Sequence, residues 1–599
     1  MVTLFYKTAS LFSIGGEGQG EGEDAMKNKE IAKIFNEIAE YLEMDEVPFK
    51  PYAYQKAALT LETLKNDVED LYQAGGLKAL KGIPGVGESI AHKIEEYLTT
   101  GRIQYYEDFK KKMPINLDEI VGVEGVGPKK AKVLFEQLGV KTLEELEAAA
   151  KNHKIAPLFR FGEKTEQNIL QAIDFLKGSK GRFLLGEILP MANAVLEQLQ
   201  GLPEVERANV AGSVRRRKET IGDVDFLVIS TDPAKVMDWF VSRPGVVKVW
   251  GQGATKSSVR LKEGFDMDLR VIPPESYGAA LQYFTGSKDH NIALRKIAID
   301  KSYKLSEYGL FQGEKIIAAQ TEEEVYAKLG MPWMAPELRE NRGEIEAALA
   351  GRLPAIIGYG DIKGDLHVHC NWDGGANSIE EIVAAAQALG YEYVGIADHT
   401  KFLKIEHGLD EAKLRARNRE IDQINARLAK EGKNFRVLKG CEANIMADGA
   451  IDITDKALAE LDFVIAGVHS HFRQPREEMT RRILTAMRNP HVDIIAHPTG
   501  RILKRREEYE VAIDDLLAGA QETGTILEIN SYPERLDLGD VNIFAARQAG
   551  IKMVISTDTH NVDQLHLMSF GISQARRGWA EKKDIINAWP AGELLQMFK

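Results

Sequence analysis

Gly212-Ser213-Val214-Arg215-Arg216-Arg217-Lys218-Glu219-Thr220-Ile221-Gly222-Asp223-Val224-Asp225 is the stretch on which the reading of the first half turns. It runs into a strand-like segment, Val224–Ile229, so Asp223 and Asp225 alternate and project to one face. A second strand-like segment, Met267–Ile272, carries a further acid within Asp266-Met267-Asp268-Leu269-Arg270. Three carboxylates on adjacent strands can hold two Mg²⁺ ions, which acidify an attacking hydroxyl and stabilise charge on a phosphate and its leaving group. Gly212 and Ser213 offer an N–H and a hydroxyl to a phosphate chain, and Arg216 adds fixed positive charge. An Asp-x-Asp pair alone is as readily a solvated strand edge. The glycine-serine turn upstream and the later strand acid make the pattern specific.

Downstream of residue 360 the chemistry changes. Ten of the 13 histidines and both cysteines, Cys370 and Cys441, lie there. Even placement would give about half as many histidines, and metal binding is the leading use of the excess. Short apolar runs recur at Tyr393–Ala397, Phe435–Leu438, Phe463–Ala466, Val492–Ala496, Ile526–Ile529 and Lys552–Ile555, with helical patterns between most of them. Alternating strands and helices imply parallel βα units, and about seven of them closing a barrel fit the length. Asp365-Leu366-His367-Val368-His369, Asp398-His399, Gly440-Cys441-Glu442, His469, His497-Pro498 and Asp558-Thr559-His560 fall at the strand ends where such barrels build their sites. A histidine at one strand end is usually structural; six strand ends converging on imidazole and carboxylate are not. That donor mixture suits Zn²⁺ or Mn²⁺.

The front of the chain reads as helical from Lys27 to about Leu176, with core spacing such as Ile31, Ile34, Phe35, Ile38 and Leu42. The Gly/Glu-rich run before it reads as a disordered tail, and Met26 as a candidate start. Gly82-Ile83-Pro84-Gly85-Val86-Gly87 recurs as Gly122-Val123-Glu124-Gly125-Val126-Gly127. Such hairpins turn consecutive N–H groups toward a phosphate, with the next helix adding a favourable field. One copy is as readily a plain helix connection; two in matching context point to sequence-independent DNA backbone binding. At 599 residues the chain implies about three or four domains. The net charge of −13 argues against a simple DNA-coating protein, and two cysteines argue against a disulfide framework and for a reducing cytoplasm. No apolar stretch is long enough for a membrane span.

Gly85-Val86-Gly87 with Ile90-Ala91-His92-Lys93-Ile94-Glu95-Glu96 resembles the lyase domain of DNA polymerase beta, which implies Lys93 as a Schiff-base nucleophile removing 5′-deoxyribose phosphate. The match departs at Ser89, where better-studied members carry lysine. The Gly-Ser and Asp-x-Asp arrangement resembles the nucleotidyltransferase superfamily. Tyr283-Phe284-Thr285-Gly286-Ser287 is similar to the sugar-contacting segment of family X DNA polymerases. That resemblance, over residues 27–343, implies Asp268 rather than Asp266 as third metal ligand, and Asn291 and Arg295 as minor-groove contacts. Lys288 stands where polymerase beta has an acid.

The C-terminal motifs resemble the polymerase-and-histidinol-phosphatase (PHP) family, a distorted (β/α)7 barrel with up to three metals. The resemblance implies one ion among His367, His369, Glu442 and Asp558, a second bridged by Glu442 to His469 and His497, and a third at His399 and His560. His369-Cys370-Asn371-Trp372-Asp373-Gly374-Gly375 places its acid one position early for the family pattern. Asp373 is expected to be re-aimed to complete the third site. Cys370 and Cys441 are expected to point away and pack.

The expected architecture is multidomain. A disordered tail (1–25), a lyase-like helical domain (26–100) and a second helical DNA-binding subdomain (101–180) come first. An α+β palm (181–273), a nucleotide-selecting thumb (274–345), a linker (346–363) and the PHP barrel (364–599) follow. The expected function is a bacterial-type family X polymerase filling gapped or nicked DNA from dNTPs with Mg²⁺ or Mn²⁺. A Zn²⁺- or Mn²⁺-dependent 3′-5′ exonuclease with abasic-site or 3′-end processing accompanies it, in a cytoplasmic monomer. A phosphoesterase whose front half only grips DNA is the alternative that intact Asp223, Asp225, Asp268 and Arg216 oppose. A non-catalytic DNA-end scaffold is opposed by the full ligand set.

Overall fold

The computed structural model describes residues 25–598 apart from 63, 65, 66, 84, 124, 125, 160, 179 and 180. The tail expected over residues 1–25 lies, but for Ala25, outside the described residues. The chain divides after Gly178 into two compact units.

The first unit is helical. Ile31, Phe35, Ile38 and Leu42, at the spacing of one helical face, enter its single core with Ile90 and Ile94. Its two glycine hairpins are one device used twice. Helix α1 (Glu88–Thr100) starts from Gly87 at φ −77°, ψ 174°, and helix α2 (Pro128–Leu138) from Gly127 at φ −79°, ψ 173°. The turns before them close with the same bond, Val86 N–H to Ile83 at 3.0 Å and Val126 N–H to Val123 at 2.9 Å.

The second unit holds palm, thumb and barrel. The palm sheet contains β1 (Val205–Val210), β2 (Asp223–Ser230), β3 (Val246–Gln252), β4 (Lys256–Leu261) and β5 (Asp266–Val271), in the order β1-β2-β5-β4-β3. Only β2 and β5 run parallel, and their register sets Asp223 opposite Asp266 and Asp225 opposite Asp268. Helices α3 (Tyr277–Thr285) and α4 (Lys288–Asp300) lead into the thumb, whose small sheet spans residues 304–318.

The barrel strands are β6 (Gly364–Val368), β7 (Tyr393–Ile396), β8 (Arg436–Lys439), β9 (Glu442–Asn444), β10 (Ile465–Gly467), β11 (Ile494–Ile495), β12 (Ile526–Asn530) and β13 (Met553–Ser556), with parallel pairings. β8 and β9 are one strand position broken at Gly440-Cys441, so seven positions line the ring. Bridges Val368–Thr559 and His399–Glu442 link its two arcs. Both faces of these strands are buried, which is why they read as apolar runs.

The segment expected as a linker is strapped down. Ile357 is fully buried in the barrel core, its N–H donates to Ala580 at 2.9 Å, and its carbonyl accepts from Arg576 at 2.7 Å. Palm and barrel also share a core: Leu536 and Phe570 of the barrel join the palm cluster of Val224, Phe226 and Leu269. Gly186 marks the closest approach, since a Cβ there would lie 2.4 Å from Pro533. Among the described residues no helix is long and apolar enough to cross a membrane.

Candidate functional site

The β2–β5 register gathers the acids the sequence singled out. Burial, then Asp223 and Asp268, push the Asp225 carboxyl up to about 7, and burial with Asp268 raises Asp223. Such mutual repulsion among carboxylates is the electrostatic mark of a cation site. Asp266 is otherwise engaged: Arg260 grips both its oxygens at 2.8 Å and Trp250 donates at 2.9 Å. Asp268 pairs with Lys256 at 2.8 Å while facing Asp225. Gly212 leans against this cluster at φ +59°, and a Cβ on it would stand 2.5 Å from Asp225 Oδ2. Only glycine permits both that backbone and that contact.

Asp223 and Asp225 open into a cavity of about 850 Å³ whose walls include Ser213, Arg216, Tyr283, Phe284, Gly286, Asn291 and Arg295. Asn291 donates to the Tyr283 carbonyl at 2.7 Å and accepts from Gln282 at 2.7 Å, so it pins the aromatic turn. The Tyr283 and Phe284 rings meet edge-on at 5.1 Å, with Arg295 over the first and Arg270 over the second. Arg216 Nε donates to Glu340 at 3.0 Å and its Nη1 to the Thr285 carbonyl. Its neighbour Arg215, unassigned by sequence, clamps palm to thumb through Thr285 at 2.6 Å and both oxygens of Glu322 at 2.8 Å.

In the barrel, Glu442 is the hub. Its Oε1 lies 3.0 Å from His469 Nε2 and 3.1 Å from His497 Nε2. Its Oε2 lies 2.7 Å from His399 Nδ1, 3.4 Å from His367 Nε2 and 3.7 Å from His369 Nε2. Asp558 Oδ1 stands 3.6 and 3.4 Å from the same two His367 and His369 nitrogens. Ligands about 2.1 Å from a tetrahedral ion sit roughly 3.4 Å apart, so the spacing fits a metal. His367 Nε2, His369 Nε2, His399 Nδ1 and Glu442 Oε2 are buried without a hydrogen-bond partner, which a metal would supply. Burial alone would raise the Glu442 carboxyl, but His469, His399 and His367 hold it well below its usual range. Two of these residues, His497 at φ +29° and Asp558 at φ +55°, occupy the left-handed region where non-glycine residues are strained. His369, His399 and His560 form a further close group.

Asp373 is buried in a close group with His369 and Asp398. Its Oδ2 meets His369 Nδ1 at 2.8 Å and accepts the His399 N–H at 2.9 Å, while Oδ1 accepts the Gly375 N–H at 3.0 Å. These bonds orient His369 and tie its loop to the His399 backbone. Glu528, which sequence reading passed over, does the same for His367: Oε1 lies 2.7 Å from its Nδ1, and Oε2 accepts the His497 N–H at 2.7 Å. The signal was a carboxylate inside the apolar run Ile526–Ile529. Cys370 and Cys441 are buried, and Cys370 Sγ donates to Asp398 at 3.1 Å.

In the helical unit, Lys93 is half-buried, with its Nζ 3.1 Å from Ser89 Oγ, 5.0 Å from the Tyr105 ring and 5.8 Å from that of Tyr54. Burial holds its ammonium below the usual lysine range; Glu96 opposes this and Lys50 adds to it. Gly82, Gly85, Gly87, Gly122 and Gly127 sit in the two hairpins, whereas Gly125 lies outside the described residues.

Fold and sites together define a nucleotidyltransferase palm built onto a metal-dependent PHP barrel. Residues 26–103 match the helix-hairpin-helix domain family and 117–174 the SAM-like helix-hairpin-helix tandem. Residues 280–340 match the DNA polymerase beta thumb and 365–532 the PHP domain. The chain is 39% identical over 568 residues to the DNA polymerase/3′-5′ exonuclease PolX of Bacillus subtilis (strain 168), covering 94% of this chain and 98% of that protein. DNA polymerase lambda of Arabidopsis thaliana is 26% identical over 353 residues, 52% of this chain and 62% of that protein. A probable phosphatase of Caldanaerobacter subterraneus subsp. tengcongensis is 34% identical over 138 residues, 21% of this chain and 52% of that protein. The chain belongs to the DNA polymerase/3′-5′ exonuclease PolX family, as its motifs led us to expect.

Proposed function

We propose that this protein fills short gaps in damaged DNA from dNTPs and trims 3′ ends in its barrel. The observation that carries the reading is the in-register opposition of Asp225 and Asp268, beside Asp223 and under Gly212. Asp223, Asp225 and Asp268 would hold two divalent ions, Mg²⁺ or Mn²⁺, whose chemistry there would be to acidify the primer 3′-hydroxyl and offset charge on the leaving group. Gly212, Ser213 and Arg216 bind the triphosphate. Tyr283 and Phe284 stand against the sugar, and Gly286, Asn291 and Arg295 fix that wall.

In the barrel His367, His369, Glu442 and Asp558 would hold one ion, Glu442 with His469 and His497 a second, and His399 with His560 a third, as Zn²⁺ or Mn²⁺. Bound there, the ions supply an acidified water for phosphodiester cleavage. The two hairpins grip the DNA backbone, and Lys93 removes 5′-deoxyribose phosphate. The protein acts as a monomer on gapped or nicked DNA.

The test is a one-nucleotide-gapped, 5′-phosphorylated DNA incubated with dNTPs and Mg²⁺ or Mn²⁺, following extension and degradation together. Asp225→Ala is expected to abolish nucleotide addition and keep Mn²⁺-dependent 3′-end degradation. His369→Ala is expected to do the reverse. Loss of both activities in one folded variant sinks the two-site reading.

A further inference from the structure

One wall of the nucleotide cavity comes from the barrel. Arg577 ends helix α6 (Met568–Arg577), and Asp540 begins helix α5 (Asp540–Gln548); both line the cavity with Ser213 and Arg216. Arg577 is 3% exposed. Its Nη1 donates to the Arg216 carbonyl at 2.8 Å and to Glu340 Oε1 at 2.9 Å, and its Nη2 donates to Asp540 at 2.5 Å. The same Glu340 oxygen accepts from Arg216 Nε at 3.0 Å, while Glu340 Oε2 lies 3.8 Å from Lys218. Asp540 also meets Arg342 at 3.1 Å. Four cations share two carboxylates, leaving the network net positive beside a cavity suited to a polyanion.

The backbone needs this brace. Arg217, directly after the carbonyl that Arg577 holds, sits at φ +55°, a conformation that non-glycine residues keep only when their surroundings impose it. Arg216 is thus fixed at both ends, its carbonyl by Arg577 and its guanidinium by Glu340 and Thr285. Burial alone would raise the Glu340 carboxyl, but Arg577, Arg216 and Lys218 together hold it below its usual range. Without Arg577, Glu340 would lose its strongest partner and draw the Arg216 guanidinium into a tighter pair, away from a triphosphate.

We propose that Arg577 is a positioning residue for nucleotide binding: a barrel side chain sets the pose of Arg216 and thereby the affinity for the incoming dNTP. It acts through Arg216, because each of its terminal nitrogens already donates inside the protein, Nη1 to the Arg216 carbonyl and Glu340 and Nη2 to Asp540. The proposal rests on Arg216 as a triphosphate ligand.

The test is single-nucleotide incorporation by the full chain on one-nucleotide-gapped DNA, comparing wild type, Arg577→Met, Arg577→Lys, Arg216→Ala and the double variant Arg216→Ala/Arg577→Met. Arg577→Met is expected to raise the KM for dNTP about tenfold with less than about a threefold change in kcat. Arg577→Lys, which keeps one donor and the charge, is expected to recover part of the loss. It carries the same test should the methionine variant not fold. In the Arg216→Ala background Arg577→Met is expected to add nothing to KM, the non-additivity of residues acting as one unit. A merely structural role would instead lower melting temperature and add to KM in both backgrounds. An unchanged KM in folded Arg577→Met, or additive effects, overturns the proposal while leaving Arg216 in place. An unchanged KM in Arg216→Ala overturns the triphosphate reading itself and the proposal with it.

Discussion

The Asp225 carboxyl is pushed to about 7 because burial and two neighbouring carboxylates disfavour its charge. Its unfolded counterpart titrates near ~4. Between those values the folded chain keeps a proton that the unfolded chain has released, so without ions stability falls as pH rises through that window. Asp225→Asn removes the penalty along with the chemistry. In chelator, the variant is expected to melt a few degrees above wild type at pH 8, with the gain shrinking as the pH falls from 7 toward 4. Added Mg²⁺ should close the gap by raising wild type alone. A variant no more stable than wild type at pH 8 would mean the acids do not repel. The half-buried Lys93 makes a parallel case: an ammonium disfavoured by burial gives up its proton more readily and becomes a nucleophile. Borohydride is expected to trap wild type, but not Lys93→Ala, on an abasic deoxyribose phosphate. Equal trapping would move the nucleophile elsewhere.

Among the elements, the loop after β6 shows what a sequence carries and what it hides. The barrel strands were legible because burial on both faces leaves near-continuous apolar runs; their edges moved by one or two residues. The candidate ligands were legible because most stand at or just beyond strand ends on one side of the ring, such as His369, His469 and His497. Glu528 was not, because it hides within an apolar strand, and nothing in spacing says that its oxygens reach His367 and the His497 N–H. Ile357 was not, because Ala355-Ile356-Ile357 between Pro354 and Gly358 is too short a run to show a period. Spacing placed Asp373 near the metals but could not say which atom it meets. Acting through its bond to His369 Nδ1, Asp373 would be an outer partner, and removing such partners weakens metal affinity about 10–100-fold. Asp373→Ala is therefore expected to raise the apparent metal Kd by that factor, with the ion count at saturation unchanged. Competitive chelator titration with mass spectrometry reads both quantities; a lower count at saturation would restore Asp373 as a ligand.

On the scale of the whole molecule, the palm acids and the barrel histidine–carboxylate cluster are separate, yet palm, thumb and barrel form one compact unit, Ser179–Lys599. Sequence reading divided them at a linker because their motifs are distinct, and motif spacing is blind to which surfaces pack. The structure joins them through Leu536 and Phe570 in the palm core and through Arg501–Glu219 at 2.8 Å beside the Arg577–Glu340 pair. Point substitution and truncation should therefore give opposite results. Asp225→Ala and His369→Ala each touch one ligand set and leave the shared core intact, so each should silence one activity in a folded protein. Ending the chain at residue 345 removes Leu536 and Phe570 from a core they help close. Each such side chain is worth about 2 kcal/mol of burial. The cut also leaves Glu340 without Arg577, while Arg216 and Lys218 remain to compete for it. The fragment is expected to bind a hydrophobic dye, to melt well below the full chain and to extend primers poorly although every palm ligand is present. A fragment that melts and extends like the full chain would show that the palm core closes without the barrel, and that the shared cluster is contact rather than support.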